Sequence, residues 1–283
     1  TRTAFVSTNS ICQGVQVPIL WPLIFATGHQ IMFAHTSFKW ANLASHNAGV
    51  TVAIVGISKN VAQPRLLFSA VDKGEVSAKQ DFNINAYIMP GPDIVVQPLR
   101  KSIGGCAYMD LGNMPKDGGH LLFSGVEADE AVRDEPAIAK YIFDFVGSQE
   151  FVKGIVRKCL WIEDEQAEVI KHIPLVAKRL AGVREMRLAS DAESTRAYAD
   201  RPYRFKQIQG RGLHSSIVVP KVSSELREYL PVGVLTAHSV VSDNAFALYD
   251  SPLWNMALIA SRLHLFLIGT VCGKLETRYR YSN

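Results

Sequence analysis

The chain has 283 residues, 48% hydrophobic and 20% charged, enough to bury one large core or two ordinary ones, which excludes disorder as its main state. Its four cysteines, Cys12, Cys106, Cys159 and Cys272, stand far apart with no CxxC pair, which excludes a zinc ribbon and a disulfide scaffold and fits a reducing, cytoplasmic setting. The net charge of +4 is uneven, with no acidic residue in 1–71, an acidic excess of six in 122–168 and a basic excess of seven in 169–283, so a polyanion suits the two ends of the chain and not its middle.

Thr1 to Ser10 lacks the basic start and apolar run of a signal peptide. Thr3 to Ser7 (TAFVS) reads as a short strand, Pro18 to Ala26 as an apolar helix closed by Gly28, and His29 to Ala34 as a second strand. Val50 to Ile57 (VTVAIVGI) is a β-branched run suited to a sheet buried on both faces. Between these strands His35 to Gly49 is polar and too long for a tight hairpin, and loops of that length usually carry function. The opening therefore looks like the end of an α/β domain that starts upstream.

After Asn60 the texture changes to short strands with Gly, Pro and Asn punctuation. Ala128 to Val146 has helical spacing, with Ile138, Tyr141, Ile142, Phe145 and Val146 on one face. Pro174 to about Tyr198 is predicted as a second helix, and Ser215 to Val219 as a strand. Ser251 and Pro252 are placed as N-cap and first residue of a helix running to about Thr270, with Gly273 as its stop. The most apolar stretch, Met256 to Val271, is interrupted by Arg262 and His264 and falls short of the ~20 residues a bilayer needs, so no spanning helix and no membrane partner are expected. The histidines form no metal pattern, and GNMPKDGG (112–119) lacks the GK[ST] ending of a phosphate loop.

Several blocks resemble one family. AFVSTNSICQG (4–14), LWPLIF (20–25), FAHTSFKWAN with NAGVTVAIVG (33–56), GNMPKDGG (112–119), CLWIED (159–164), RLAS (187–190), VVPKVSSELREY (218–229) and GKLETRYRYSN (273–283) are similar, in the same order, to the carboxy-terminal half of the MmeI-like DNA adenine methyltransferases, single-chain restriction-modification enzymes. The resemblance implies an α/β remnant of a class I methyltransferase sheet in 1–62, followed by an α+β target-recognition domain in 63–283. It also implies that the glycine-rich turn holding S-adenosylmethionine and the Asn-Pro-Pro-Tyr catalytic motif belong upstream, since neither occurs here, and that the family continues past Asn283. Methyl transfer to an exocyclic amine needs donor and amine held in line. The expectation is thus an S-adenosylmethionine-dependent parent enzyme and a fragment that binds no cofactor or metal and is inactive alone.

A base methylated in duplex DNA must be flipped out, and an aromatic face then replaces its lost stacking. The residues alone leave Phe38 and Trp40 open between that role and the core; the resemblance points to Phe38, with Lys39 beside it for a phosphate. If Lys274 to Tyr281 is extended, Glu276, Arg278 and Arg280 share one face. Arginine can donate twice to guanine and glutamate can accept from cytosine N4, while a charged edge that merely blocks strand pairing remains the plainer reading. The resemblance assigns base reading to Glu276, Arg278 and Arg280. Asn244 is a further candidate reader. Arg187, Arg196, Lys221, Ser223, Ser224 and Arg227, together with Arg201 and Arg204, are phosphate-contact types that position without specifying.

Double-stranded DNA is accordingly the expected partner, with the recognised sequence and oligomeric state left open. The alternatives are a pure DNA-specificity module with no catalytic contribution, for which the AFVSTNS strand and HTSFKW segment would have no use, and an interaction domain that binds no nucleic acid.

Overall fold

The computed structural model describes residues 2–40, 50–71, 75–99, 102–275 and 278–281. They divide into two units, the first comprising 1–101, 224–227 and 263–282 and the second nearly all the rest.

Five strands of the first unit, β1 (Arg2–Thr8), β2 (Gln30–Lys39), β3 (Thr51–Ser58), β4 (Arg65–Ala70) and β5 (Val76–Asp81), form one sheet in the order β1-β3-β2-β4-β5. Only the β2–β4 pairing is parallel. The β-branched run makes the interior strand β3, flanked by β1 and β2 and buried or half-buried along its whole length, because each face is covered and side chains alternate between faces. Helix α1 (Gln16–Ala26) packs Val17 and Trp21 into the core, and the Trp21 indole Nε1–H donates to the Ile11 carbonyl at 2.6 Å. The boundary expected after residue 62 falls between β3 and β4 of this one sheet.

The second unit starts with β6 (Asp110–Leu111) and β7 (Leu122–Ser124), then α2 (Gly125–Asp134), β8 (Ile142–Val146), α3 (Ser148–Lys153) and β9 (Arg157–Leu160). The helix expected over Ala128 to Val146 is thus corrected. It stops at Asp134, a 3-10 segment covers Pro136–Tyr141, and Ile142–Val146 is a strand. Proline disfavours a helical backbone at the residue before it, and Glu135 sits at φ −138, ψ 78. Ile142 and Phe145 reach the core as strand residues between β9 and β13 (Ser239–Val241), not as a helical face.

Helices α4 (Ala167–Ile170), α5 (Pro174–Leu188) and α6 (Glu193–Arg196) follow. The second predicted helix is therefore two, and the Arg196 guanidinium bonds the Ser190 and Asp191 carbonyls at the break, both at 2.7 Å. Strands β10 (Ser215–Pro220), β11 (Val222–Ser223), β12 (Gly233–Thr236) and β14 (Ala245–Tyr249) come next, and β12, β10, β14 and β6 make an antiparallel sheet. Strands β13, β8, β9 and β7 make another, with β13 and β8 parallel.

Helix α7 (Trp254–Ala260) ends at Ser261, which is extended at φ −65, ψ 147, and α8 (Arg262–Val271) follows. The single helix expected from Ser251 to Thr270 is therefore interrupted and starts later, with Leu253 at the N-cap position. No single helix among the described residues is long and apolar enough to cross a membrane. The short strands β15 (Lys274–Leu275) and β16 (Arg278–Arg280) then pair antiparallel, and with most of α8 they belong to the first unit.

Candidate functional site

Strand β2 runs five residues past its predicted end at Ala34, so His35, Thr36, Ser37, Phe38 and Lys39 are strand residues. The register against β3 shifts between His35 and Phe38, where His35 faces Ile54 but Phe38 faces Val52. Such bulges re-aim side chains, often beside active sites. Here it gathers three rings. His35 and Phe38 meet edge to face with centroids 4.6 Å apart, and Phe38 and Trp40 lie 6.2 Å apart. Phe38 is half-buried, Lys39 is exposed and Trp40 is 43% exposed. The Trp40 N–H donates to the Val50 carbonyl at 2.8 Å, which closes the two ends of the segment 41–49; that segment lies outside the described residues. The contribution of His35 was not visible in the sequence, because a bulge sets it.

The terminal segment is a hairpin and not the continuous strand expected. Lys274 pairs with Tyr279 and Leu275 with Arg278, so the chain reverses between them, and the Arg280 N–H donates to the Gly273 carbonyl at 3.1 Å. Glu276, placed with the arginines as a base reader, lies outside the described residues. The alternation within β16 is as the period of two requires: Arg278 and Arg280 are exposed while Tyr279 between them is half-buried. Tyr281 is buried, with its hydroxyl 3.1 Å from His264 Nε2 on α8. Burial pushes the Tyr281 phenol up to about 12 and lowers the His264 imidazole.

In the second unit Asn244 is exposed on the turn between β13 and β14. The turn is held from behind. Ser148 Oγ donates to the Asn244 carbonyl and accepts the Lys221 N–H at 3.1 Å, while the Lys221 ammonium donates to the Asp243 carbonyl at 3.1 Å and lies over the Phe246 ring. Lys221 therefore supports the turn as well as carrying charge.

The remaining phosphate candidates separate by burial. Arg227 and Arg196 are exposed, and Ser224 is half-buried with its hydroxyl accepting the Leu226 N–H at 3.2 Å. Ser223 is only 4% exposed and its hydroxyl has no protein partner, so it offers no surface to a phosphate here. Arg201 and Arg204 are ion-paired with Asp164 and Glu163.

Arg187 is the clearest correction, being 0% exposed. Its five N–H donors meet five backbone carbonyls: Nε that of Lys116, Nη1 those of Tyr198 and Arg201, and Nη2 those of Pro115 and Arg204, all within 2.7–3.1 Å. No donor is left for a phosphate. The residue ties α5 to the GNMPKDGG segment, which has a structural task of its own. Asn113, 0% exposed, donates from Nδ2 to the Gly210 and Val241 carbonyls and accepts at Oδ1 from the Gln209 and Gly210 N–H groups. At Gly112 a Cβ would sit 2.2 Å from the Ser242 carbonyl oxygen, so only glycine allows that approach.

Among the described residues, those that follow strand β1 do not match a turn that holds S-adenosylmethionine. Strand β1 leads into a 3-10 turn, Asn9–Cys12, and not into a glycine-rich turn, and residues 1–71 contain no carboxylate to meet the donor's ammonium and ribose hydroxyls. Among the described residues no three His, Cys, Asp or Glu side chains are grouped to hold a metal ion.

Two family models match the chain, one after the other. The family described as MmeI, DNA-methyltransferase domain, matches residues 1–69, and that described as MmeI, target recognition domain, matches residues 90–283. DNA methyltransferase A of Bacillus subtilis (strain 168) is 39% identical over 282 residues, which are 99% of this chain and 31% of that protein. The solved structure of the Type IIL restriction-modification enzyme MmeI in complex with DNA superposes with a TM-score of 0.89 at 35% identity, covering 99% of this chain and 38% of that one. The chain thus spans about a third of the length of these relatives.

Proposed function

The chain belongs to the MmeI family, matching its DNA-methyltransferase domain at the start and its target recognition domain over the remainder, and from that premise we propose that it is the sequence-recognising part of a longer enzyme that methylates adenine in double-stranded DNA. In this reading the longer enzyme takes its methyl group from S-adenosylmethionine, held by residues upstream, and the present chain transfers no methyl group alone. The catalytic part ends within the sheet of β1 to β5, the methyltransferase match stopping at residue 69, and the recognition domain follows it.

The observation that carries the proposal is the terminal hairpin. Arg278 and Arg280 project from one side of β16, two residues and so ~6.6 Å apart, a spacing that lets two side chains reach neighbouring base pairs. Their fork of N–H donors suits guanine O6 and N7. Glu276 extends the set in sequence with an acceptor for cytosine N4. Lys39, Arg196, Ser224 and Arg227 are the accessible residues of the phosphate set, and Asn244 is the accessible reader of the second unit.

Phe38 is assigned the flipped base. A ring near the end of strand β2, half-open to solvent and braced by His35, offers a flat face to an extruded purine, a contact of ~1–3 kcal/mol. Bracing matters because a ring already held in place loses little freedom when the base arrives.

The test is salt-dependent binding of the 283-residue chain to duplex DNA. Neutralising several phosphates releases counterions, so log K should fall against log salt with a slope of ~0.9 per phosphate contacted. A flat dependence between dilute and physiological buffer removes DNA as the partner.

A further inference from the structure

The face of β16 that does not carry the arginines is anchored to α8 at two points. Tyr279 packs against Gly269, where a Cβ would lie 2.9 Å from Tyr279 Cε1, 3.6 Å from Cζ and 3.7 Å from Cδ1. The ring is therefore seated on bare helix backbone. Two residues on, the Tyr281 hydroxyl lies 3.1 Å from His264 Nε2, with the two rings 5.5 Å apart and inclined by 34°. His264 and Gly269 lie on one helix; Tyr279 stands between Arg278 and Arg280 in the strand, and Tyr281 directly follows Arg280. Fixing the tyrosines therefore fixes the height and tilt of the arginines.

On the reading that Arg278 and Arg280 contact bases, we propose that Gly269 and His264 are positioning residues for target specificity: they set where the two arginines stand without touching DNA. Hydrogen bonds between side chains and base edges hold over only ~0.5 Å of donor–acceptor distance. A Cβ at position 269 must displace the Tyr279 ring from 2.9 Å toward ordinary contact, a movement of that same order. Phosphate contacts carry no sequence information, so a small displacement of the hairpin costs discrimination before it costs general affinity.

An ordinary helix effect predicts the opposite outcome for the mildest variant. Replacing a helical glycine with alanine favours the helix, so Gly269→Ala should leave the melting temperature unchanged or raised. We expect it nevertheless to lower the ratio of methylation of the cognate duplex to that of single-mismatch duplexes about tenfold, within the range one base pair contributes, with nonspecific duplex binding unchanged. His264→Leu should lower the same ratio, and His264→Gln, whose amide can occupy the place of Nε2, should restore most of it.

The measurement is methylation of a randomised duplex pool by the longer enzyme carrying each variant, alongside Arg278→Ala and Arg280→Ala. Altered site preference in the arginine variants and in Gly269→Ala and His264→Leu supports the proposal. Altered preference in the arginine variants alone overturns the positioning role and leaves base reading intact. No change in any variant overturns base reading by the hairpin itself.

Discussion

Arg187 Nε donates to the Lys116 carbonyl at 2.9 Å, joining residues that stand 71 apart in the chain. With the four other carbonyls on the same guanidinium, this makes one cation the common anchor of the loop 115–116, helix α5 and the segment 198–204. Lysine offers three donors on a point charge where arginine offers five in a rigid fork, so Arg187→Lys strands at least two buried carbonyls. The expected loss is about 3 kcal/mol, read as a lower urea midpoint. An unchanged midpoint would show that water can replace the guanidinium and that the anchor is dispensable.

Phe38→Ala in the longer enzyme should slow methylation of duplex DNA more than it weakens duplex binding, by roughly tenfold or more, because a stacked, flipped base is close to the reactive state. Single-turnover methylation and equilibrium binding measured on the same duplex separate the two quantities. Equal losses in both would return Phe38 to a packing role. An unaffected methylation rate would favour a chain that only recognises sequence.

Asp250 accepts three backbone N–H groups, from His214 and Ser215 at Oδ1 and from Leu213 at Oδ2, which hold its carboxyl down to about 2 from an ordinary 3.8. A depressed folded pKa stabilises the folded state above the unfolded value, and that stability drains away as pH falls from about 4 toward 2. Asp250→Asn should therefore have a lower urea midpoint than the native chain at pH 7, with the two curves drawing together as pH falls below about 4 and nearly meeting at about pH 2. A gap that persists at pH 2 would mean that the carboxylate charge is not what the three N–H groups recognise.

The double change Glu276→Lys with Arg278→Asp should alter the base pair accepted at one position of the target, since it puts a donor for an acceptor at 276 and an acceptor for a donor at 278. Each mismatch should cost ~1–3 kcal/mol. Selecting methylated sites from a random pool checks this. Retention of the original site at full rate would reduce the segment to a charged surface that reads no base.

Much of the first unit was legible locally. The β-branched run of β3, the apolar helix α1 and the short strand β1 announce themselves because each is decided by neighbours a few residues away. The same holds for the alternation of Arg278, Tyr279 and Arg280 within β16. Where a local period was ambiguous the sequence misled: Ile142 and Phe145 are spaced for a helix face yet lie in a strand, because Pro136 ends α2 and the neighbouring strands supply the missing hydrogen bonds. The antiparallel pairing of Lys274–Leu275 with Arg278–Tyr279 was likewise hidden, since the partners of Tyr279 and Tyr281 lie on α8 and are set by the tertiary structure.

Burial of charge was the least legible property. Arg187 has the residue type of a surface phosphate contact, and only the tertiary structure brings five carbonyls from two separate segments around it. A guanidinium leaves water when its lost hydration is replaced donor for donor, and the groups that replace it here lie 11 to 72 residues away. Residue type therefore determined what the side chain can bond to, whereas the fold decided which partner it meets.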